Sequence, residues 1–184
     1  MQRKIIKSLK KIIAANVWYH GRTVKSQVFD EEKTGKGNDQ EGPGFYFSSD
    51  YDDASRYAYP SGIVMTANID TSRLTPKTAS EEDIEFLLDE ADPEDLETSL
   101  SNWSENTTTA REMLIEAIMN NDDPYLTAWY EIYRYEPAHF LKAMVKLGYD
   151  GHIKIPNQSL DIKHLIVYNP DVIEIQKVED YQKG

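Results

Sequence analysis

Three short segments combine residue types that can do chemistry with positions where side chains can be held still. The first is Tyr19-His20-Gly21, at the end of a β-prone run. The second is Gly44-Phe45-Tyr46-Phe47-Ser48, followed closely by Ser55, Arg56 and Tyr57, and the third runs from His164 to Pro170. They arrive in the order histidine, tyrosine, polar residue, each at a predicted strand. Metal chemistry is not expected, because His20, His139, His152 and His164 show neither HExxH nor cysteine-paired spacing. Thiol chemistry is excluded outright, since the chain has no cysteine. There is no Walker A loop, and Gly35-Lys36-Gly37 is too short for a dinucleotide fingerprint, so its glycines read as loop.

The elements that must position these segments follow from hydrophobic period and punctuation. Val17-Trp18-Tyr19 reads as a core strand ending at His20-Gly21, and residues 22–44 as a polar, Gly-rich loop. Phe45-Tyr46-Phe47 is a second strand, residues 48–58 a helix capped by Ser49 or Asp50, and residues 63–69 a third strand. Residues 80–147 turn helical and at first strongly acidic, opening on a Ser80 to Asp83 spacing like a capping box with Asp in the Glu place. Further helices are expected over 110–119, 125–135 and 137–147, the last stopped by Gly148. Strand character returns at 152–155, 165–168 and 172–175. Strands on both sides of a helical block predict an α+β domain rather than a doubly wound parallel sheet.

At 184 residues the chain builds one core, and 40% apolar with 28% charged residues is the balance of a folded globular protein. A formal charge of -12 repels phosphate backbones, which disfavours broad nucleic-acid binding. Residues 1–16 are basic, with Ile5, Ile6, Leu9, Ile12 and Ile13 on one helical stripe between lysines. They read as an amphipathic helix docked on the domain rather than a signal peptide or a membrane anchor. The acidic stretch 81–97 reads as a solvated helix face, and Trp103, Trp129, Tyr130 and Tyr133 as packing residues.

The ordered segments resemble the poly(ADP-ribose) polymerase-like branch of the ADP-ribosyltransferases. That branch has His-Gly on its first strand, Gly-x-Tyr-Phe followed by Ala-x-x-Tyr, and a Glu opening a late strand. Gly148-Tyr149-Asp150-Gly151 also resembles the link before the late strands in phage and bacterial relatives. The resemblance covers residues 17–58 and 147–175 and leaves the middle helices as an insertion over 80–147. It implies two small, mainly antiparallel sheets packed to form an NAD cleft.

The resemblance also implies a donor site. His20, Tyr46 and His164 would be catalytic, with Gly21, Arg22, Phe47, Ser55 and Tyr57 binding NAD as co-substrate, without a metal. A flat, cationic nicotinamide favours aromatic faces, here those of Tyr46 and Tyr57. The Gly21 backbone would bind the carboxamide, His20 the adenine-side ribose and Arg22 the pyrophosphate. One departure matters: the family's Glu is absent, and by motif position its place falls on His164, with Asp161 as the alternative. The expected function is therefore mono-ADP-ribosyl transfer from NAD to a macromolecular acceptor, preferably protein, with a nucleic-acid acceptor left open. NAD hydrolysis and a weakly active or inactive binding module are the competing readings. A cytoplasmic setting is expected, within the host if the chain is phage-encoded.

Overall fold

The computed structural model describes residues 17–30, 34, 41–155 and 161–181. The helix expected over 1–16 and Gly35-Lys36-Gly37 lie outside the described residues. Six strands, β1 (Val17–Arg22), β2 (Phe45–Ser48), β3 (Ile63–Ile69), β4 (Gly151–Lys154), β5 (His164–Val167) and β6 (Ile173–Asp180), form one sheet in the order β4-β5-β2-β1-β3-β6. All five pairings are antiparallel. The α+β class stands, but two separate sheets are replaced by one.

The reason lies at the β1/β2 seam. β1 pairs with β3 along its whole length and β2 with β5 along all of its own, whereas β1 and β2 share the single registered pair Tyr19↔Ser48. Two three-stranded halves are thus joined at one registered pair, and the ladder between β1 and β2 is interrupted beyond it. Alternation of side chains then separates two faces. Phe45, Phe47, Leu165 and Val167 join Trp18, Ala67 and Ile69 in a core on one face, while Tyr46 and Ile166 point into the core of the helices.

Those helices are α1 (Tyr51–Ser55), beside the seam, and then α2 (Glu81–Glu90), α3 (Pro93–Ser101), α4 (Thr107–Met119), α5 (Pro124–Ile132) and α6 (Pro137–Leu147). Five of these six starts have a side-chain cap, and α6 opens on Pro137 instead. Asp50, Ser80, Asp92, Asn106 and Asp123 accept backbone N–H bonds in the first turns of α1 to α5. The Ser80 cap forms as expected, but the Asp83 carboxylate accepts from the hydroxyls of Tyr125 and Tyr149, tying α2 to α5 and to the chain after α6. α6 ends at Gly148, whose φ of 103° is the left-handed cap that glycine favours. Tyr133 is buried as expected, while Tyr130 is exposed beneath the Arg134 guanidinium. Residues 80–147 contain 17 acidic and 4 basic residues, so the helical layer carries the whole net negative charge of the chain.

The Gly-Tyr-Asp-Gly segment is structural. Asp150 is buried; its Oδ1 accepts from Asn169 Nδ2 at 2.9 Å and its Oδ2 lies 3.4 Å from Arg73 Nε. Its carbonyl accepts from the backbone N–H of Tyr168 at 2.7 Å, so two segments that stand out in the sequence lock each other. Asp150→Ala is expected to cost about 2–4 kcal/mol, because it strands Asn169 and removes the buried partner of Arg73. Urea unfolding checks this: the midpoint should fall with the slope unchanged, and a midpoint within error of the native value would contradict it.

Candidate functional site

The interrupted seam is where the cleft lies. A cavity of about 400 Å³ is lined by Tyr19, His20, Gly21, Tyr46, Phe47, Ser48, Asp53, Ala54, Tyr57 and His164. A second, of about 340 Å³, is lined by His20, Gly21 and Arg22 together with Val24, Ser26, Val28, Asp30, Thr34, Gly44 and Phe45. His20 and Gly21 belong to both, so the cleft has two lobes with the His-Gly pair at its waist.

His20 occupies the seam. With the β1/β2 ladder interrupted, its Nδ1–H donates to the Tyr46 carbonyl at 2.5 Å, and its Nε2 accepts from Arg22 Nε at 3.1 Å. This arrangement fixes the tautomer. Burial lowers the ring's pKa to about 4, assisted by the Arg22 charge and opposed by the Tyr46 carbonyl, so the ring is neutral at pH 7. Its face packs on Phe47 at 5.2 Å between centroids.

Gly21 is required by its neighbour. An added Cβ would sit 1.9 Å from the Ala54 carbonyl oxygen, because α1 lies directly against β1. That contact presents Asp53, Ala54 and Tyr57 to the same lobe. The Tyr46 ring packs against the helical core and its hydroxyl donates to the Gly42 carbonyl, so it is anchored at both ends. Tyr57 is 62% exposed and leaves its ring open to the cavity. Partial burial, then the charges of Asp53 and Glu41, raise the Tyr57 hydroxyl above its ordinary pKa, which keeps it protonated.

His164 opens β5 opposite Ser48 and reaches the lobe from the far side of β2. Its Nε2 lies 3.0 Å from Asp53 Oδ2 and its Nδ1 2.9 Å from Glu41 Oε2. All three side chains are less than one-fifth exposed. Sequence reasoning missed both carboxylates. Asp161, weighed as the alternative acid, is exposed and does not line the cavity.

Two further candidates have local partners. Ser55 does not line the cavity: it is buried, and its hydroxyl donates to the Asp52 carbonyl at 2.8 Å, which closes the turn of α1. Arg22 lines the second lobe, but its Nη1 donates to the carbonyls of Ser26 and Val28, both at 3.0 Å, and its guanidinium lies 5.1 Å from the centroid of the Phe29 ring. Those bonds tie the segment after β1 to the sheet and, with the bond to His20, use Nε and Nη1 of the five-donor guanidinium. Among the described residues no cluster of His, Asp and Glu is arranged to hold a metal ion, and no helix is long and apolar enough to cross a membrane.

A family model for ADP-ribosyltransferase domains in polyvalent proteins matches residues 14–174. The chain belongs to this family. Comparison with curated proteins and with solved structures finds no match in either. The matched span of the ADP-ribosyltransferase domain includes α2 to α6, so the match itself does not set the helical layer apart as an insertion.

Proposed function

We propose that this ADP-ribosyltransferase domain moves a single ADP-ribose from NAD to a protein acceptor and releases nicotinamide. The observation that carries this reading is the meeting of His20, Gly21, Tyr46, Tyr57 and a carboxylate-flanked His164 around one lobe of a two-lobed cleft. NAD suits that cleft as a substrate. Its cationic ring meets tyrosine faces and nearby carboxylates in the first lobe, and its other half extends past the His20-Gly21 waist into the second. Family resemblance gives the Gly21 backbone to the carboxamide and the neutral His20 ring to a ribose hydroxyl, which would take the place of Arg22 Nε on Nε2.

In the reaction the bond between ribose C1′ and the pyridinium nitrogen breaks, and its electron pair leaves with neutral nicotinamide. Positive charge develops over C1′ and the ring oxygen, where a negative side chain stabilises it. A nucleophilic acceptor atom then bonds to C1′ and gives up its proton. A protein acceptor is favoured because the helical layer, with 17 acidic and 4 basic residues, repels nucleic acid. The segment carrying Glu41 adjoins that layer through Gly42, where an added Cβ would lie 2.9 Å from Leu126 of α5.

Tyr57 is the cleanest probe of NAD binding, because its ring is exposed while that of Tyr46 also supports the helical core. Tyr57→Ala is expected to weaken NAD binding about tenfold, the loss of one aromatic face against a cation, with the unfolding midpoint unchanged. Titration calorimetry checks it. Equal NAD affinity in the two proteins would place the nicotinamide elsewhere.

A further inference from the structure

The lobe proposed to take the ribose lacks the glutamate that the polymerase-like resemblance implies, but Asp53 lines it, and one imidazole holds both Asp53 and Glu41. We propose that Asp53 supplies the catalytic carboxylate, with His164 as the residue that positions it. This rests on the NAD-transfer reading above. Three observations lead to it.

The first is hydrogen-bond inventory. An ionised carboxylate only accepts, and an imidazole nitrogen donates only when it carries hydrogen. With Glu41 at 2.9 Å on Nδ1 and Asp53 at 3.0 Å on Nε2, both bonds form together only if the three groups share two protons. The three groups then carry a net charge of -1, the charge of a single glutamate. A lone positive ring at this place would oppose a developing cation, whereas the three groups together do not.

The second is position. Asp53 lines the cavity with Tyr57, Gly21 and His164, and Glu41 does not. Asp53 and Tyr57 stand four residues apart, one turn along the same face of the chain that turns from α1 into its short 3-10 extension. The backbone there is fixed at both ends: the Asp53 N–H donates to the Asp50 cap at 2.8 Å, and the Ala54 carbonyl touches Gly21. Glu41 itself lies in a turn.

The third is spare capacity. His164 holds Oδ2 of Asp53, while Oδ1 faces the exposed Arg56 at 3.9 Å, beyond hydrogen-bond distance. Oδ1 is thus placed to accept from a ribose hydroxyl as the bond from C1′ to nicotinamide breaks. No covalent bond to Asp53 forms, and the leaving electron pair stays with nicotinamide.

The test is nicotinamide release from labelled NAD by the full chain and by Asp53→Asn, Asp53→Glu, Glu41→Gln and His164→Ala, with NAD affinity measured for each. Asp53→Asn should lower kcat ~100-fold with KM changed less than threefold, since the charge acts only in the transition state. Asp53→Glu should recover part of the rate, Glu41→Gln should lose less than tenfold, and His164→Ala should lower kcat while binding NAD normally. A native rate in Asp53→Asn, or a larger loss in Glu41→Gln, overturns the assignment while leaving the NAD reading standing. A native chain that releases no nicotinamide overturns both.

Discussion

Gly21→Ala is expected to lower turnover ~100-fold and stability by about 3 kcal/mol together. The new methyl would stand 1.9 Å from the Ala54 carbonyl oxygen and 2.9 Å from its carbon, both backbone atoms with no flexible end to swing away. β1 cannot retreat, because it is registered with β3 at every position from Val17 to Arg22. α1 must therefore move outward, taking Asp53 and Tyr57 with it. Overpacking of this kind costs about 3 kcal/mol, and a displacement near 1 Å at a reacting centre lowers turnover ~100-fold. Gly148→Ala is the control. Its φ of 103° strains any side chain, yet nothing lies within 4 Å of the added atom, so it should cost about 1 kcal/mol and leave turnover intact. Thermal unfolding and nicotinamide release measure both. If Gly21→Ala behaves like Gly148→Ala, the packing of α1 on β1 has been misjudged.

A second large effect is expected from acid. His20 and His152 are each held at about 4, burial being the first cause in both. For His152 the Lys154 charge adds to burial, against the pull of Asp123 and Glu41. The unfolded chain takes up protons on both rings as pH falls through 6.5, while the folded chain refuses them until about 4. Stability is therefore full above pH 7, declines between about 6.5 and 4, and levels once the folded rings protonate. Each ring contributes a loss of about 3 kcal/mol over that window. Urea midpoints at pH 8, 6, 5 and 4 should trace this decline. His152→Gln, which cannot titrate, should remove about half of the slope. A flat profile from pH 8 to 5 would contradict the buried, neutral state of both histidines.

What was legible in the sequence and what was not divides along physical lines. His20-Gly21 and the Gly44-Phe45-Tyr46-Phe47 strand were readable because period, punctuation and residue type agree locally, and the cavity brings them together. The Ser80 cap was readable for the same reason, and the start of α3 could have been, since Asp92 followed by Pro93 is a helix-start signal. The single sheet was not readable, because one cross-strand pair at Tyr19↔Ser48 decides between one sheet and two. The local acceptors of Ser55 and Arg22 were not readable, because residue type does not reveal that a donor already has a partner. The carboxylates on His164 were hidden by distance along the chain: Asp53 is 111 residues away and Glu41 is 123. One clue was present for Asp53, which stands one turn before Tyr57, a residue already assigned to the site.

The most direct test of the NAD-transfer reading uses NAD labelled separately in its nicotinamide and adenylate halves, incubated with the full chain and a protein extract. The account predicts release of the nicotinamide label with matching transfer of the adenylate label to protein, lowered at limiting NAD by Tyr57→Ala and in maximal rate by Asp53→Asn. Release with no transfer would make water the acceptor and the domain a hydrolase. Binding of NAD with neither label moving would contradict the account, because the cleft would then hold a dinucleotide that it does not cleave.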